Sequence, residues 1–185
     1  MTSTSLTLVA AHGAAAHSAA PATGTAALAW LLIAVPAASA ALLLLLGRRA
    51  DRWGHWLGLA AAVFSAGLGL AVLAQVLALP ADGRILQLDL WRWFSAGDLD
   101  VTVGLRVDPL SLTFVTLVTV VGSLIHLYSV AYMSHDRDRR RFFAYLNLFV
   151  AAMLTLVLGS SYIVLFVGWE GVGLASYLLI GFWNT

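Results

Sequence analysis

The sequence predicts an all-α polytopic membrane protein with five transmembrane helices and one external β-hairpin between helices 2 and 3. Three observations carry that prediction. The chain of 185 residues is 61% hydrophobic and only 10% charged, against about 25% charged residues in an ordinary soluble domain. It contains five apolar stretches near the roughly 20 residues that a helix needs to cross a bilayer. Residues 80–107, by contrast, alternate apolar and polar side chains on both sides of a turn signal, which is the pattern of paired strands.

Residues 1–26 are small and weakly polar, with no Asp, Glu, Lys or Arg, so they lack the basic segment of a secretory signal. They are expected to form a short, disordered external tail. His12 and His17 in this tail stand alone, without neighbours to complete a metal ligand set. The first two spans occupy residues 27–79. Helix 1 runs from about Ala27 to Leu46 and holds Pro36, which removes a helix hydrogen bond and should kink the helix. Gly47-Arg48-Arg49-Ala50-Asp51-Arg52 is a basic loop. Helix 2 follows from about Trp56 to Leu79, with Trp53 and Trp56 as interfacial anchors and Gly58, Gly67 and Gly69 suited to close packing.

Within residues 80–107, Leu86, Leu88 and Leu90 alternate with Gln87 and Asp89. After a turn at Ser95-Ala96-Gly97-Asp98, Leu99, Val101, Val103, Leu105 and Val107 alternate with Asp100, Thr102, Gly104 and Arg106. An open sheet edge is not tolerated in lipid, which puts this hairpin outside the bilayer. Its apolar face should rest on helix ends or on a partner. Trp91, Trp93 and Phe94 are contact or interfacial residues. Residues 108–185 then supply helices 3 to 5. Asp108-Pro109 opens helix 3, the carboxylate capping free N–H groups and the proline occupying the first turn.

Helix 3 continues to about Met133 and carries His126, roughly 10 Å short of its end. An imidazole there has two open roles, a proton relay near neutral pH or a hydrogen bond to a neighbouring helix. Ser134-His135-Asp136-Arg137-Asp138-Arg139-Arg140-Arg141 is a second basic loop. Helix 4 spans about Phe142 to Leu158, with Asn147 as its one strongly polar group. Gly159-Ser160-Ser161 turns the chain into helix 5, about Tyr162 to Phe182. Seven of the ten arginines lie in the two basic loops, and positive loops stay in the cytoplasm. The N-terminus and hairpin are therefore expected outside and the C-terminus inside.

Composition also excludes. A net charge of +1 gives no case for nucleic-acid binding, and the absence of cysteine removes iron–sulfur clusters, thiolate zinc sites and disulfides from this chain. There is no lysine, so none can titrate against the one glutamate, Glu170. Glu170 lies nearly midway along helix 5, about 13 Å into a ~30 Å core. An ionisable group at that depth costs roughly 2.5 to 3.5 kcal/mol on insertion scales, and its default reading is a site that takes up and releases a proton or ion. Gly168, Gly171, Gly173, Ala175 and Ser176 surround it in sequence, small residues that let another backbone approach. The competing role for Glu170 is a buried carboxylate hydrogen-bonded across helices for packing specificity. No cation in these residues is placed to pair with it.

Four segments, in order and spacing, resemble a known family. They are Asp108-Pro109-Leu110-Ser111-Leu112; Ile125-His126-Leu127-Tyr128-Ser129 with Tyr132-Met133; Arg141-Phe142-Phe143-Ala144-Tyr145-Leu146-Asn147-Leu148-Phe149; and Gly168-Trp169-Glu170-Gly171-Val172-Gly173-Leu174 leading into Ser176-Tyr177-Leu178-Leu179-Ile180-Gly181-Phe182. Together they are similar to the antiporter-like L subunit of NADH–quinone oxidoreductase, respiratory complex I, called chain 5 in mitochondria. The match covers roughly residues 103–185; residues 1–100 fit mainly in topology.

The resemblance implies the start of the complex I antiporter-like fold and a part in coupling electron transfer from NADH to quinone with proton pumping. It makes Glu170 the fifth-helix glutamate that pairs with a lysine on a later helix in a proton half-channel. His126 falls at a family histidine position and Arg141 at the arginine opening helix 4, an anchor at the membrane face. No cofactor is expected on this chain; NADH, FMN, iron–sulfur clusters and quinone belong to other subunits. Expected partners are the other membrane-arm subunits, especially the neighbouring M-type subunit, and the lipid bilayer. The expected location is the bacterial plasma (inner) membrane. The family subunit is far longer, with two inverted five-helix repeats. The chain is thus expected to be an N-terminal fragment that carries no redox catalytic residue and is inactive alone. The alternatives are an Mrp-type cation/proton antiporter subunit and a non-transporting membrane remnant.

Overall fold

The computed structural model describes residues 19–96 and 99–183. Its elements in chain order are β1 (Ala20–Pro21), α1 (Trp30–Leu45), α2 (Gly54–Leu77), β2 (Leu86–Ala96), β3 (Leu99–Val107), α3 (Pro109–Tyr132), α4 (Arg139–Leu158) and α5 (Tyr162–Ile180). Among the described residues, five helices are long and apolar enough to cross a membrane, the first of them including the 3-10 turn Gly24–Leu28 ahead of α1. His12, His17 and the Gly97-Asp98 part of the hairpin turn lie outside the described residues.

The expected tail is not free throughout. Ala20 and Pro21 pair in parallel with Leu86 and Gln87, Pro21 sitting at a sheet edge where its missing N–H costs no ladder bond. The 3-10 turn that follows is held by Gln75 of α2. Its amide nitrogen donates to the Thr23 carbonyl at 2.8 Å, and its oxygen accepts from the Ala26 N–H at 3.0 Å and from the Thr25 hydroxyl. Gly24 lies in the left-handed region at φ 61° with Gln75 against it, so a side chain there would be strained and crowded.

Two helix starts, those of α3 and α5, have a local cause. Asp108 accepts from Ser111 N–H at 2.8 Å while the Ser111 hydroxyl accepts from Asp108 N–H at 2.9 Å, a reciprocal cap with Pro109 behind it. Ser161 caps α5 through the Val164 N–H. Helix α4 begins three residues before the expected Phe142, with arginines in a first turn that the helix dipole disfavours. Arg140 explains this. Its guanidinium donates to Asp51 at 2.9 Å and to the Leu43 carbonyl at 2.6 Å. Leu43 lies in the last turn of α1, where carbonyls lack helical partners. One arginine thus caps α1 and ties the two basic loops together.

Helix α1 runs unbroken through Pro36. A proline at position 36 frees the carbonyl four residues earlier, that of Leu32, and the buried Ser65 hydroxyl of α2 donates to it at 3.4 Å. Helix α4 is the hub, touching α1, α2, α3 and α5, whereas α5 packs mainly against α4. The main core joins Leu32, Val72, Val115 and Leu154 from four helices to Leu105 and Val107 of the hairpin. The hairpin's apolar face therefore rests on the helix ends. It is antiparallel, Leu86 opposite Val107 and Leu88 opposite Leu105, with irregularities between Asp89 and Trp91 and between Arg92 and Phe94. Ser160 N–H donates to the Gly104 carbonyl at 3.0 Å, joining the hairpin to the α4–α5 turn. The sheet and the arginine loops thus occupy opposite ends of the bundle.

Candidate functional site

Helix α5 is apolar on nearly all sides, so its orientation comes from its small residues. Val164, Gly168 and Ala175 are its buried positions. A Cβ on Gly168 would stand 2.4 Å from the Leu156 backbone nitrogen, and one on Gly171 would stand 3.0 Å from the Ala152 Cβ. At about 100° per residue these four positions form one stripe, the face against α4. Glu170 falls well outside that stripe, sharing its face with Phe166, Gly173 and Tyr177. All four side chains or positions are exposed, and a Cβ on Gly173 would meet nothing within 4 Å. The small residues near Glu170 in sequence therefore divide. Gly168, Gly171 and Ala175 seat α4, and Gly173 alone of the glycines leaves space on the carboxylate's side. Among the described residues, none of the three ion pairs involves Glu170.

His126 is enclosed where α2, α3 and α4 meet. Its Nδ1 lies 2.7 Å from the Gly122 carbonyl of its own helix, and its Nε2 lies 3.1 Å from Asn147 Nδ2 on α4. The same amide nitrogen donates to the Gly58 carbonyl of α2 at 3.2 Å and to the Phe143 carbonyl at 3.0 Å. Gly58 allows this close approach: a Cβ there would stand 3.0 Å from that nitrogen and 3.1 Å from Phe143. Among the described residues, Asn147 Oδ1 is buried without a hydrogen-bond partner. Sequence reading noted Asn147 only as a polar residue in an apolar span; that isolation was the available signal.

His55 was passed over because the second span was expected to start one residue later. It occupies the first turn of α2, 6% exposed, and its Nδ1 has no partner among the described residues. Its ring and that of His126 both stand edge-on to Phe143, with centroids 6.2 Å and 5.9 Å away. Arg141 packs over Tyr145 and Phe182 at 5.9 and 6.0 Å and pairs with Asp138 at 3.4 Å. That is the geometry of an anchor at a helix end.

Glu170 and His126 are not joined by any hydrogen bond among the described residues. His126 borders an apolar cleft of about 360 Å³ lined also by Val121, Gly122, Val150, Met153 and, from α5, Leu179; Glu170 does not line it. Among the described residues no group of three or more His, Cys, Asp or Glu is arranged to hold a metal ion. The arrangement offers a carboxylate on an uncovered intramembrane face and an enclosed imidazole with one defined partner on each ring nitrogen.

Comparison with known proteins gives this geometry a setting. Residues 93–143 match the family described as NADH-Ubiquinone oxidoreductase (complex I), chain 5 N-terminus. NADH-quinone oxidoreductase subunit L of Mycobacterium tuberculosis is 57% identical over 83% of this chain and 24% of that protein. Subunit L of Pseudomonas aeruginosa is 45% identical over 77% of this chain and 24% of that protein. The chain spans about a quarter of the length of these curated relatives. Among solved structures, the Mrp complex from Dietzia sp. DQ12-45-1b aligns with a TM-score of 0.64 and 30% identity, over 83% of this chain and 16% of that chain.

Proposed function

Given that the chain belongs to the subunit L and chain 5 family of NADH–quinone oxidoreductase, we propose that it supplies the opening five helices of a proton-translocating membrane-arm subunit. In that reading the assembled complex couples electron transfer from NADH to quinone with proton movement, and the redox cofactors reside on other subunits. The observation that carries it is Glu170, an acid inside a span on a face of α5 that α4 does not cover. A further helix bearing a cation fits this face. An approaching cation favours the carboxylate and its withdrawal favours the neutral acid, so relative movement of the two loads and unloads one proton. His126 is the second proton site in this reading.

Orientation in the proposal is N-terminus outside and C-terminus inside, with the hairpin external, in the bacterial inner membrane. It is supported by the contact of the two basic loops through Arg140 and Asp51, since loops rich in arginine stay cytoplasmic. The uncovered apolar faces fit neighbouring membrane-arm subunits, including one of M type. The test is Glu170→Gln in the complete subunit within the assembled complex. The expected result in proteoliposomes is a lower proton-to-electron ratio with quinone reduction retained; an undiminished ratio refutes the role. A second reading, a cation/proton antiporter subunit of Mrp type, is favoured by the likeness to the Dietzia complex. Cation-driven proton exchange in vesicles lacking NADH and quinone would select it.

A further inference from the structure

The hydrogen-bond directions around His126 define its protonation state. The Gly122 carbonyl only accepts, so the Nδ1 facing it at 2.7 Å carries the ring proton. Two neighbours of the Asn147 amide, the Gly58 and Phe143 carbonyls, likewise only accept, so the NH2 end of that amide faces them. The same NH2 lies 3.1 Å from His126 Nε2, so its two hydrogens serve three acceptors and one N–H is shared between a carbonyl and Nε2, which faces a donor and holds a bare lone pair. Both ring nitrogens are satisfied in the neutral imidazole. A proton added to the Nε2 lone pair would set two donors against each other at that distance.

We propose that Asn147 is a positioning residue that holds His126 as the neutral imidazole protonated on Nδ1, and that Nε2 takes a second proton only when the amide has moved away from it. The inference deepens the reading of His126 as a proton site by naming what regulates it. Turning the amide in place would set Oδ1 against the Gly58 and Phe143 carbonyls, so the carbonyls hold the NH2 where it is and the two donors are relieved by separating the ring from the amide. The Nε2–H then needs an acceptor in the space opened, and a water molecule is the simplest one of the required size. Among the described residues, the groups on the elements packed around His126 offer no alternative counter-charge. From α2 comes His55, across the Phe143 ring. On α4, Arg140 is bound to Asp51 and the Leu43 carbonyl, and from α5 only Leu179 reaches the adjoining cleft. Proton uptake by His126 is thereby tied to movement of one amide that also bridges α2 and α4.

The test uses the 185-residue chain in lipid nanodiscs with isotope-labelled histidine ring nitrogens, His126 being assigned by the signals lost in His126→Gln. At neutral pH the wild type should show Nδ1 protonated and Nε2 bare. Asn147→Asp places an acceptor against Nε2 and should leave both nitrogens of His126 protonated under the same conditions. A wild-type spectrum with the proton on Nε2, or with both nitrogens protonated, overturns the proposal. So does a folded Asn147→Asp variant in which His126 stays singly protonated. Should that variant fail to fold, the wild-type tautomer alone decides. Neither readout involves Glu170 or transport, so failure here and failure of the Glu170→Gln test are separate results.

Discussion

Replacing Gly168 by alanine should loosen α5 from the bundle, whereas the same change at Gly173 should not. A Cβ at position 168 would stand 2.4 Å from Leu156 N, 2.6 Å from its Cα and 2.8 Å from its Cβ. Two of these are backbone atoms of the hub helix and cannot rotate away. Reaching ordinary contact, at about 3.5 Å, requires the helices to separate locally by about 1 Å. A radial gap of that size forfeits roughly a quarter to a half of each neighbouring contact well, including those of Gly171 with Ala152. Overpacking of this kind costs about 1–3 kcal/mol. At Gly173 the new methyl group meets nothing, and the exchange of glycine for alanine within a helix gains up to about 1 kcal/mol. The same gain accompanies Gly168→Ala, so the two variants should differ by the overpacking cost alone, about 1–3 kcal/mol. The assay is reversible unfolding in mixed micelles, followed by tryptophan fluorescence. Equal stabilities, or a more stable Gly168→Ala, would refute the assignment of the α4-facing stripe and with it the outward direction of Glu170.

Two further outcomes follow from the helix-end and proline chemistry. Ser65→Ala should cost about 1 kcal/mol by leaving the Leu32 carbonyl unpaired, and the cost should fall close to zero in a Pro36→Ala background, where residue 36 regains the N–H that bonds this carbonyl; a double-mutant cycle by the same unfolding assay checks the coupling. Asp108→Ala should cost about 0.5–2 kcal/mol through loss of the cap, read as faster amide exchange confined to the first turn of α3.

Much of the fold was legible because its signals are local. The run from Pro109 to Tyr132 is announced by Asp108 and Pro109, and the structure holds the carboxylate on the Ser111 N–H as that pattern requires. The hairpin is legible from alternation over residues 86–90 and 99–107, and its Leu105 and Val107 indeed meet the helix ends; the expected turn residues Ser95 and Ala96 are instead paired strand, opposite Asp100 and Leu99. Other features were closed to sequence reading. The pairing of Ala20 with Leu86 joins residues far apart through backbone groups that every residue carries. Of the glycines expected at packed positions, Gly58 and Gly69 are in close contact but Gly67 meets nothing within 4 Å, while Gly54, not singled out, has the tightest contact on α2. Glycine marks where close approach is possible and does not say which helix arrives.

The candidate site divides along the same line. That Glu170 is a lone acid within an apolar span, that His126 and Asn147 are polar groups in lipid-length helices, and that seven arginines gather in two loops are properties of the sequence alone. They follow from composition and spacing, which determine transfer cost and span length residue by residue. Which way Glu170 points, and that Asn147 reaches both His126 and Gly58, were decided only by packing. A helix that is apolar on all sides has no periodicity from which to read its buried face. Its rotation is set instead by the fit of Gly168 and Gly171 against Leu156 and Ala152, a contact between two helices that neither helix specifies by itself.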